Sequence, residues 1–238
     1  MDRYEFNRQL AAAARAMAEE DGTQHTLERA VRMATDLIGP CDLAGISLVR
    51  PDGIHTVAAS DEELRLIDQL QVELDEGPSL DALRQTDVLT VTNLAEDHRW
   101  PHWGLHIARE LDVHSSMSFR LFTEDHTMGV LNLYAKQPDA FGNDDVLDGL
   151  VLAAHAAVAL SGTLQQEQLT RAMETRRMIG EATGILRERF GLTSDQAFGV
   201  LRRMSSELNI KLHVIAQQLV DTGTLPAHHR RGSSERVH

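Results

Sequence analysis

The sequence predicts an α+β domain followed by an all-α three-helix module on a long connecting helix, and three observations predict it. Between Leu43 and Tyr134 several short runs alternate apolar and polar residues, with helical periodicity before, between and after them. That is the pattern of an antiparallel meander covered by helices. From Arg176 to Val220 three further stretches repeat at helical spacing and are bounded by start and stop signals. The charge divides near the same place. Residues 1–170 hold 12 Lys and Arg against 29 Asp and Glu, a balance of −17, and residues 171–238 hold 11 against 7, a balance of +4. An acidic body carrying a mildly basic appendage is expected when only one part meets nucleic acid.

Taken in order, residues 4–19 read as a helix with Phe6, Leu10, Ala13, Ala14 and Met17 on one face. A second helix follows Thr26, its stripe Leu27, Ala30, Val31, Ala34, Leu37 and Ile38 closed by Gly39-Pro40. The period then changes to two. Leu43 to Val49 places Ala44, Ile46 and Leu48 on one side, and Pro51-Asp52-Gly53 turns the chain into Ile54 to Ala59, which makes a hairpin. Glu62 to Leu74 returns to helical spacing, aligning Leu64, Ile67, Leu70 or Gln71, and Leu74. Gly77-Pro78 opens a short helix through Leu83, Val88 to Val91 reads as a strand, and Asp97 to Pro101 breaks regular structure before a helix from Leu105 to Leu111. Ser115 to Phe122 and Met128 to Tyr134 are β-rich and separated by the turn Thr123 to His126.

From Asn143 to about Phe190 a single helical path is expected, with Ser161-Gly162 as the place where it would break. Leu147, Leu150, Ala154, Ala157, Ser161 and Leu164 repeat at steps of three and four, the seam of a two-stranded coiled coil joining two chains. Within the last part of that path Ile179, Ala182, Leu186 and Phe190 form an apolar face, while Arg176, Gly180, Thr183 and Arg187 share another. Gly191 stands where a left-handed residue stops a helix, and Thr193 to Gln196 has capping-box spacing. Ala197, Phe198, Leu201, Met204 and Leu208 then form a stripe, and Asn209 is placed to cap a third helix in which Leu212, Ile215, Ala216 and Leu219 face inward. Helices this short need one another to persist in water.

The run Ala182, Gly184, Ile185, Leu186, then Ala197-Phe198, Leu201, Ser205, and Asn209, Lys211, Leu212 resembles the ANTAR domain, the small three-helix module of bacterial transcription antiterminators. The likeness covers about fifty-five residues; Thr183 stands where many members place a Lys, and Arg187 where many place a Met. Upstream, Glu76 to Leu83, Arg99-Trp100-Pro101, Gly129 to Tyr134 and Ala140-Phe141 resemble the GAF sensory domain, in the version found before ANTAR modules in actinobacterial proteins, with Ser79 in place of a frequent Cys. The resemblance implies a GAF-like antiparallel sheet flanked by helices over residues 1–165, with the N-terminal helix included, and an ANTAR RNA-binding module over 166–226; the polar composition of 227–238 reads as a tail without fixed structure.

It further implies a signal-responsive antitermination regulator that holds paired stem-loops of nascent messenger RNA so that an overlapping terminator cannot form. Phosphate contacts fall to Arg176, Arg177, Arg187, Arg202, Arg203 and Lys211, with Thr183 and Asn209 as polar readers, Gly184 allowing close approach, and Phe198, Leu201 and Leu212 in the core. A pocket between the sheet and the segment Leu80 to Leu111, lined by Trp100, Trp103 and Phe119, would receive a small ligand; core packing is the competing reading of all three. Duplex-DNA binding and a protein-interaction bundle stand as alternatives for the basic helices.

Other chemistry is disfavoured. No glycine-rich loop has phosphate-binding spacing, and the carboxylates Asp61-Glu62-Glu63 and Asp144-Asp145 sit at helix starts, where they complement the dipole. No enzyme and no metal site are expected: His98, His102 and His106 recur at steps of four, but Pro101 interrupts the helix that would align them, and haem remains open only through the resemblance to GAF domains, some of which bind it. One cysteine, Cys41, excludes an internal disulfide, and the absence of a signal-peptide pattern and of a run of about 18 apolar residues points to a cytoplasmic protein that engages no membrane.

Overall fold

The computed structural model of the chain describes residues 3–19, 22–124 and 126–226. The expected tail 227–238, and Asp125 of the turn before the last strand, lie outside them. The chain divides into two units, Met1–Glu167 and Gln168–His238. In chain order the elements are α1 (Arg3–Glu19), α2 (Thr23–Leu37), β1 (Leu43–Arg50), β2 (Gly53–Ala59), α3 (Glu63–Leu74), α4 (Pro78–Gln85), β3 (Val88–Val91), α5 (Trp103–Glu110), β4 (Ser115–Phe122), β5 (Thr127–Ala135), α6 (Asn143–Phe190), α7 (Ser194–Leu208) and α8 (Leu212–Thr222).

The five strands form one antiparallel sheet in the order β2-β1-β5-β4-β3. Alternation along the central strands sorts side chains onto two faces, and both faces are covered. Ile46, Phe119, Leu131 and Leu133 face α1, α2 and α6, where Phe6, Leu27, Ala34, Leu152 and Leu160 meet them. Leu43, Val130 and Tyr134 face α3, α4 and α5, where Leu64, Ile67, Ala82, Trp103 and Ile107 complete a second core. The hairpin β1–β2 therefore has no solvated face over Leu43–Leu48, although simple alternation suggests one. Gly149 explains the close seat of α6 on the sheet: a Cβ there would stand 2.3 Å from the Phe119 ring.

Several sequence expectations change. Helix α2 starts at Thr23, before Thr26, and the Leu74 side chain is exposed although the stripe of α3 continues through it. Helix α6 runs unbroken through Ser161-Gly162, where the expected break does not occur. It is apolar on two sides. Leu152, Ala153, Ala156, Ala157 and Leu160 are buried in the first core, whereas Leu147, Leu150, Val151, Ala154 and Val158 are exposed. The expected seam thus loses Ala157 to the sheet and gains Val151 and Val158. By length and composition α6 could cross a membrane, with an 18-residue window of mean hydropathy 1.5, but a third of that window is already buried within the protein. A core helix packed on a sheet has the same composition.

The second unit is a three-helix core. Ala182 and Leu186 of α6, Ala197 and Leu201 of α7, and Ile215, Ala216 and Leu219 of α8 are buried together. Gly191 adopts φ 64° and ends α6, and Thr193 accepts from the Gln196 amide while its own amide donates to Gln196 Oε1 at 2.9 Å, a complete capping box. Asn209 does not cap α8. It closes α7 in the left-handed conformation (φ 52°, ψ 39°), and Lys211 stands at the start of α8 without a side-chain cap. Asn tolerates that backbone better than most residues, and Ser205 completes the turn by donating its hydroxyl to the Ile210 carbonyl at 2.6 Å.

Candidate nucleic-acid interface

Helical geometry decides which cationic side chains of the second unit share a surface. At 100° per residue, Arg176, Gly180, Thr183 and Arg187 fall within about 60° on α6, a stripe beside the buried Ala182 and Leu186. Arg202 and Arg203 are successive residues and diverge by about 100° on α7, so only one can face a given partner squarely. Asn209 and Lys211 lie at the turn between α7 and α8. Arg176, Arg177, Arg187, Arg202, Arg203, Asn209 and Lys211 are all exposed.

Their partners matter as much as their exposure. Arg177 is bridged to Glu181 one turn on, at 2.7 Å. Among the described residues Arg176, Arg187, Arg202, Arg203 and Lys211 have no ion-pair partner, so their charges stand unneutralised toward solvent. The Thr183 hydroxyl donates to the Ile179 carbonyl of its own helix at 2.7 Å, which leaves its lone pairs to accept. Arg189 belongs to the fold, since its guanidinium donates to the Gly223 carbonyl and ties the end of α6 to the end of α8. Gly184 is exposed, and a Cβ there would meet nothing within 4 Å.

Two side chains depart from expectation. Phe198, expected in the core, is 42% exposed, because Ala197 and Leu201 already fill the inward face of α7. Phe190, expected on the apolar face of α6, is 59% exposed, lying at the margin of that face in the last turn. The sequence held a signal for Phe190: the steps four, three, four, three from Arg176 through Gly180, Thr183 and Arg187 lead to it.

In the first unit Trp100, Trp103 and Phe119 do not come together. Phe119 lies in the core under α6, and the two tryptophans lie on the other face of the sheet, edge to face with ring centres 6.3 Å apart. Both are buried, and Trp103 donates to the Ile67 carbonyl and Trp100 to Asp81. The space between sheet and Leu80–Leu111, expected as a pocket, is therefore occupied by core side chains. A cleft of about 450 Å³ opens elsewhere, between β2 and α3, lined by Ile54, His55, Thr56, Arg65, Asp68, Gln69, Val72 and Glu73.

Behind it runs a buried polar network. The Asp68 carboxylate accepts from Ser47 (2.5 Å), Thr56 (2.8 Å), Gln71 (3.2 Å) and Asn132 (3.4 Å). A bulge between Ile46 and Ser47 skips Val57 and brings Thr56 opposite Ser47, which is why both hydroxyls reach one carboxyl. Burial pushes Asp68 above the ordinary carboxylate range, against the pull of these donors, and burial likewise raises Tyr134. Glu76 accepts from the backbone amides of His102 and Trp103 and pairs with the His102 ring at 2.8 Å, so it caps α5 from a distant segment; these donors hold it below the usual range. His102 is thereby engaged, and among the described residues no three His, Cys, Asp or Glu side chains converge as metal ligands.

An antiparallel sheet with helices on both faces is followed by a three-helix unit in which Arg176, Arg187, Arg202 and Arg203 have no ion-pair partner among the described residues. Residues 20–161 match the GAF domain and residues 167–220 the ANTAR domain, so the chain belongs to the GAF family and is a GAF-ANTAR regulator. Solved structures similar to it share the first unit's fold. They include the GAF domain of a phosphoenolpyruvate-protein phosphotransferase from Acinetobacter, at 16% identity and TM-score 0.54 over 69% of this chain and 97% of that one. The corresponding domain from Coxiella burnetii matches at 13% identity and TM-score 0.55, over 71% and 99%. Free methionine-R-sulfoxide reductase from Neisseria meningitidis, solved in complex with its substrate, matches at 16% identity and TM-score 0.55, over 70% and 95%. No curated protein matches the chain.

Proposed function

We propose that the chain is a signal-responsive transcription antitermination regulator, acting in the cytoplasm as a homodimer without enzymatic activity of its own, whose second unit binds paired stem-loops in a messenger RNA leader. The carrying observation is the set of exposed cationic side chains, Arg176, Arg187, Arg202, Arg203 and Lys211, that have no carboxylate partner among the described residues of an otherwise acidic chain. Exposed cations without carboxylate partners beside a compact core attract a polyanion. Loops of RNA hairpins expose unstacked bases while their stems present phosphates at fixed spacing, so such a surface can read one and grip the other. Thr183 and Asn209 serve as polar readers, the latter from its place at the end of α7.

The match to the ANTAR domain supports RNA as the polyanion. The match to the GAF domain supports a sensory first unit, and the cleft between β2 and α3, with Arg65, Asp68 and Glu73 on its walls, suits a small polar ligand as the signal. The exposed apolar side of α6 supports the homodimer.

Titration of a synthetic RNA carrying two adjacent stem-loops tests this reading. Affinity falls as salt rises, and Arg202→Ala weakens binding and lowers the magnitude of the log–log salt slope by about 1, as removal of one phosphate contact does. Binding that ignores both salt and the substitution overturns it, and stronger binding to duplex DNA of equal length assigns the surface to DNA instead.

A further inference from the structure

The second unit contains two aromatic residues, Phe190 and Phe198, and both stand in solvent. In the first unit Phe6, Trp100, Trp103, Phe119 and Tyr134 are buried, while Tyr4 and Phe122 are exposed and Phe122 lies under the Arg120 guanidinium. A single exposed apolar residue has no meaning by itself. What gives these two meaning is their company. Phe190 follows Arg187 by three residues on α6 and continues the stripe of Arg176, Gly180, Thr183 and Arg187, all five lying within about 80°. Phe198 precedes Arg202 by four residues on α7, the other spacing at which helical side chains are neighbours. Each phenylalanine thus sits one turn from an exposed arginine that has no ion-pair partner among the described residues.

Nor are the rings used internally. The arginines that lie over aromatic rings in the described residues are Arg99 over Trp100 and Arg120 over Phe122, both in the first unit. The inward faces of α6 and α7 are filled by Ala182, Leu186, Ala197 and Leu201, so neither ring has a vacancy to turn into. An apolar ring one turn from an exposed cation, repeated on two helices, matches the chemistry of an unpaired nucleotide, which offers a flat π-face next to a phosphate.

We propose that Phe190 and Phe198 are base-stacking platforms, each receiving one unpaired base of a bound RNA loop while Arg187 and Arg202 hold the adjoining phosphates. The inference rests on the RNA-binding reading and deepens it by naming the side chains that engage bases. It also separates two kinds of contact. Arginine contacts weaken with salt, whereas stacking on a neutral ring does not.

The test uses the full chain and the synthetic double stem-loop RNA, in versions with each unpaired loop position replaced in turn by an abasic nucleotide. Phe198→Leu and Phe190→Leu keep apolar bulk but lose the flat ring, and each weakens binding to intact RNA by about 5- to 150-fold with an unchanged salt slope. Phe198→Tyr and Phe190→Tyr retain affinity within about twofold. For each platform one abasic position abolishes the penalty of the leucine variant, the coupling expected when both changes remove the same contact. Thermal unfolding and light scattering of every variant accompany the titrations. Wild-type affinity in both leucine variants overturns the proposal, as does a penalty that persists at every abasic position, which shows that the rings act through the fold. A leucine variant that loses dimer mass assigns the rings to a protein contact and also overturns it. Failure of the wild-type chain to bind the RNA at all overturns the function proposed above, and this inference with it.

Discussion

Asp68 combines burial with four neutral hydrogen-bond donors, and these act in opposite senses on its proton. Desolvation favours the neutral acid and the donors favour the anion; burial prevails, so the folded-state value lies above that of an unfolded chain, about 3.9. The sign of the linkage follows. Between the unfolded and folded values the native state binds the extra proton, so the contribution of Asp68 to stability is largest below about pH 4 and declines as pH rises through its folded value. Asp68→Asn removes that slope, and the Ser47 and Thr56 hydroxyls can rotate to accept from its amide. The difference in melting temperature between wild type and variant therefore moves in the variant's favour as pH is raised from 4 to 8, measured by scanning calorimetry. A difference that moves the other way shows that the donors hold Asp68 as a carboxylate. None of this network was legible in the sequence. Ser47, Thr56, Asp68, Gln71 and Asn132 are ordinary polar residues along the chain, and only the bulge and the packing of α3 on the sheet bring them to one point.

Elements were far more legible, because periodicity and caps are local. Strand β3 falls where the alternation put it, and Thr193 to Gln196 forms the capping box its spacing announces. Errors gathered where two local rules compete. Asn209 suits a helix start and a left-handed helix end alike, and the Ser205 hydroxyl donating to the Ile210 carbonyl marks which use the chain makes of it. Phe198 fitted a 3-4 stripe, but a three-helix core this small is filled by Ala197 and Leu201. The capping box itself yields a quantitative expectation. Thr193→Ala leaves the Gln196 amide without its acceptor and costs about 1 kcal/mol, within a range of about 0.5–2. Since Trp100 and Trp103 both lie in the first unit, tryptophan fluorescence reports that unit alone, whereas far-ultraviolet circular dichroism reports the helices of both. The helical transition of the second unit shifts to lower denaturant concentration and the fluorescence transition stays in place; a shift of both in step indicates that the two units unfold as one.

At the scale of the molecule the unresolved demand is the second apolar side of α6. Over three turns Leu147, Leu150, Val151, Ala154 and Val158 span about 100° of the helix, opposite the residues buried on the sheet, and Val158 is 71% exposed. A helix apolar on both sides is stable in water when both are covered, and a stripe this contiguous exceeds the scattered exposure normal on a surface. A second copy of the chain presenting the same stripe covers it by two-fold symmetry, since an isologous contact needs only one self-complementary patch. Val158→Glu places two like charges near the axis of such an interface. Light scattering at micromolar concentration then reports a dimer for the wild-type chain and a monomer for the variant. Val158 makes no part of the core under α6, so the melting temperature of the isolated monomeric variant, extrapolated to low protein concentration, matches that of the dissociated wild type. A wild-type chain that is monomeric at every concentration removes the dimer from the proposed function. RNA binding to a single stem-loop at undiminished affinity by the Val158→Glu chain, with loss only of the paired-loop advantage, follows if the two copies each hold one hairpin, because linking two sites raises apparent affinity through effective concentration alone.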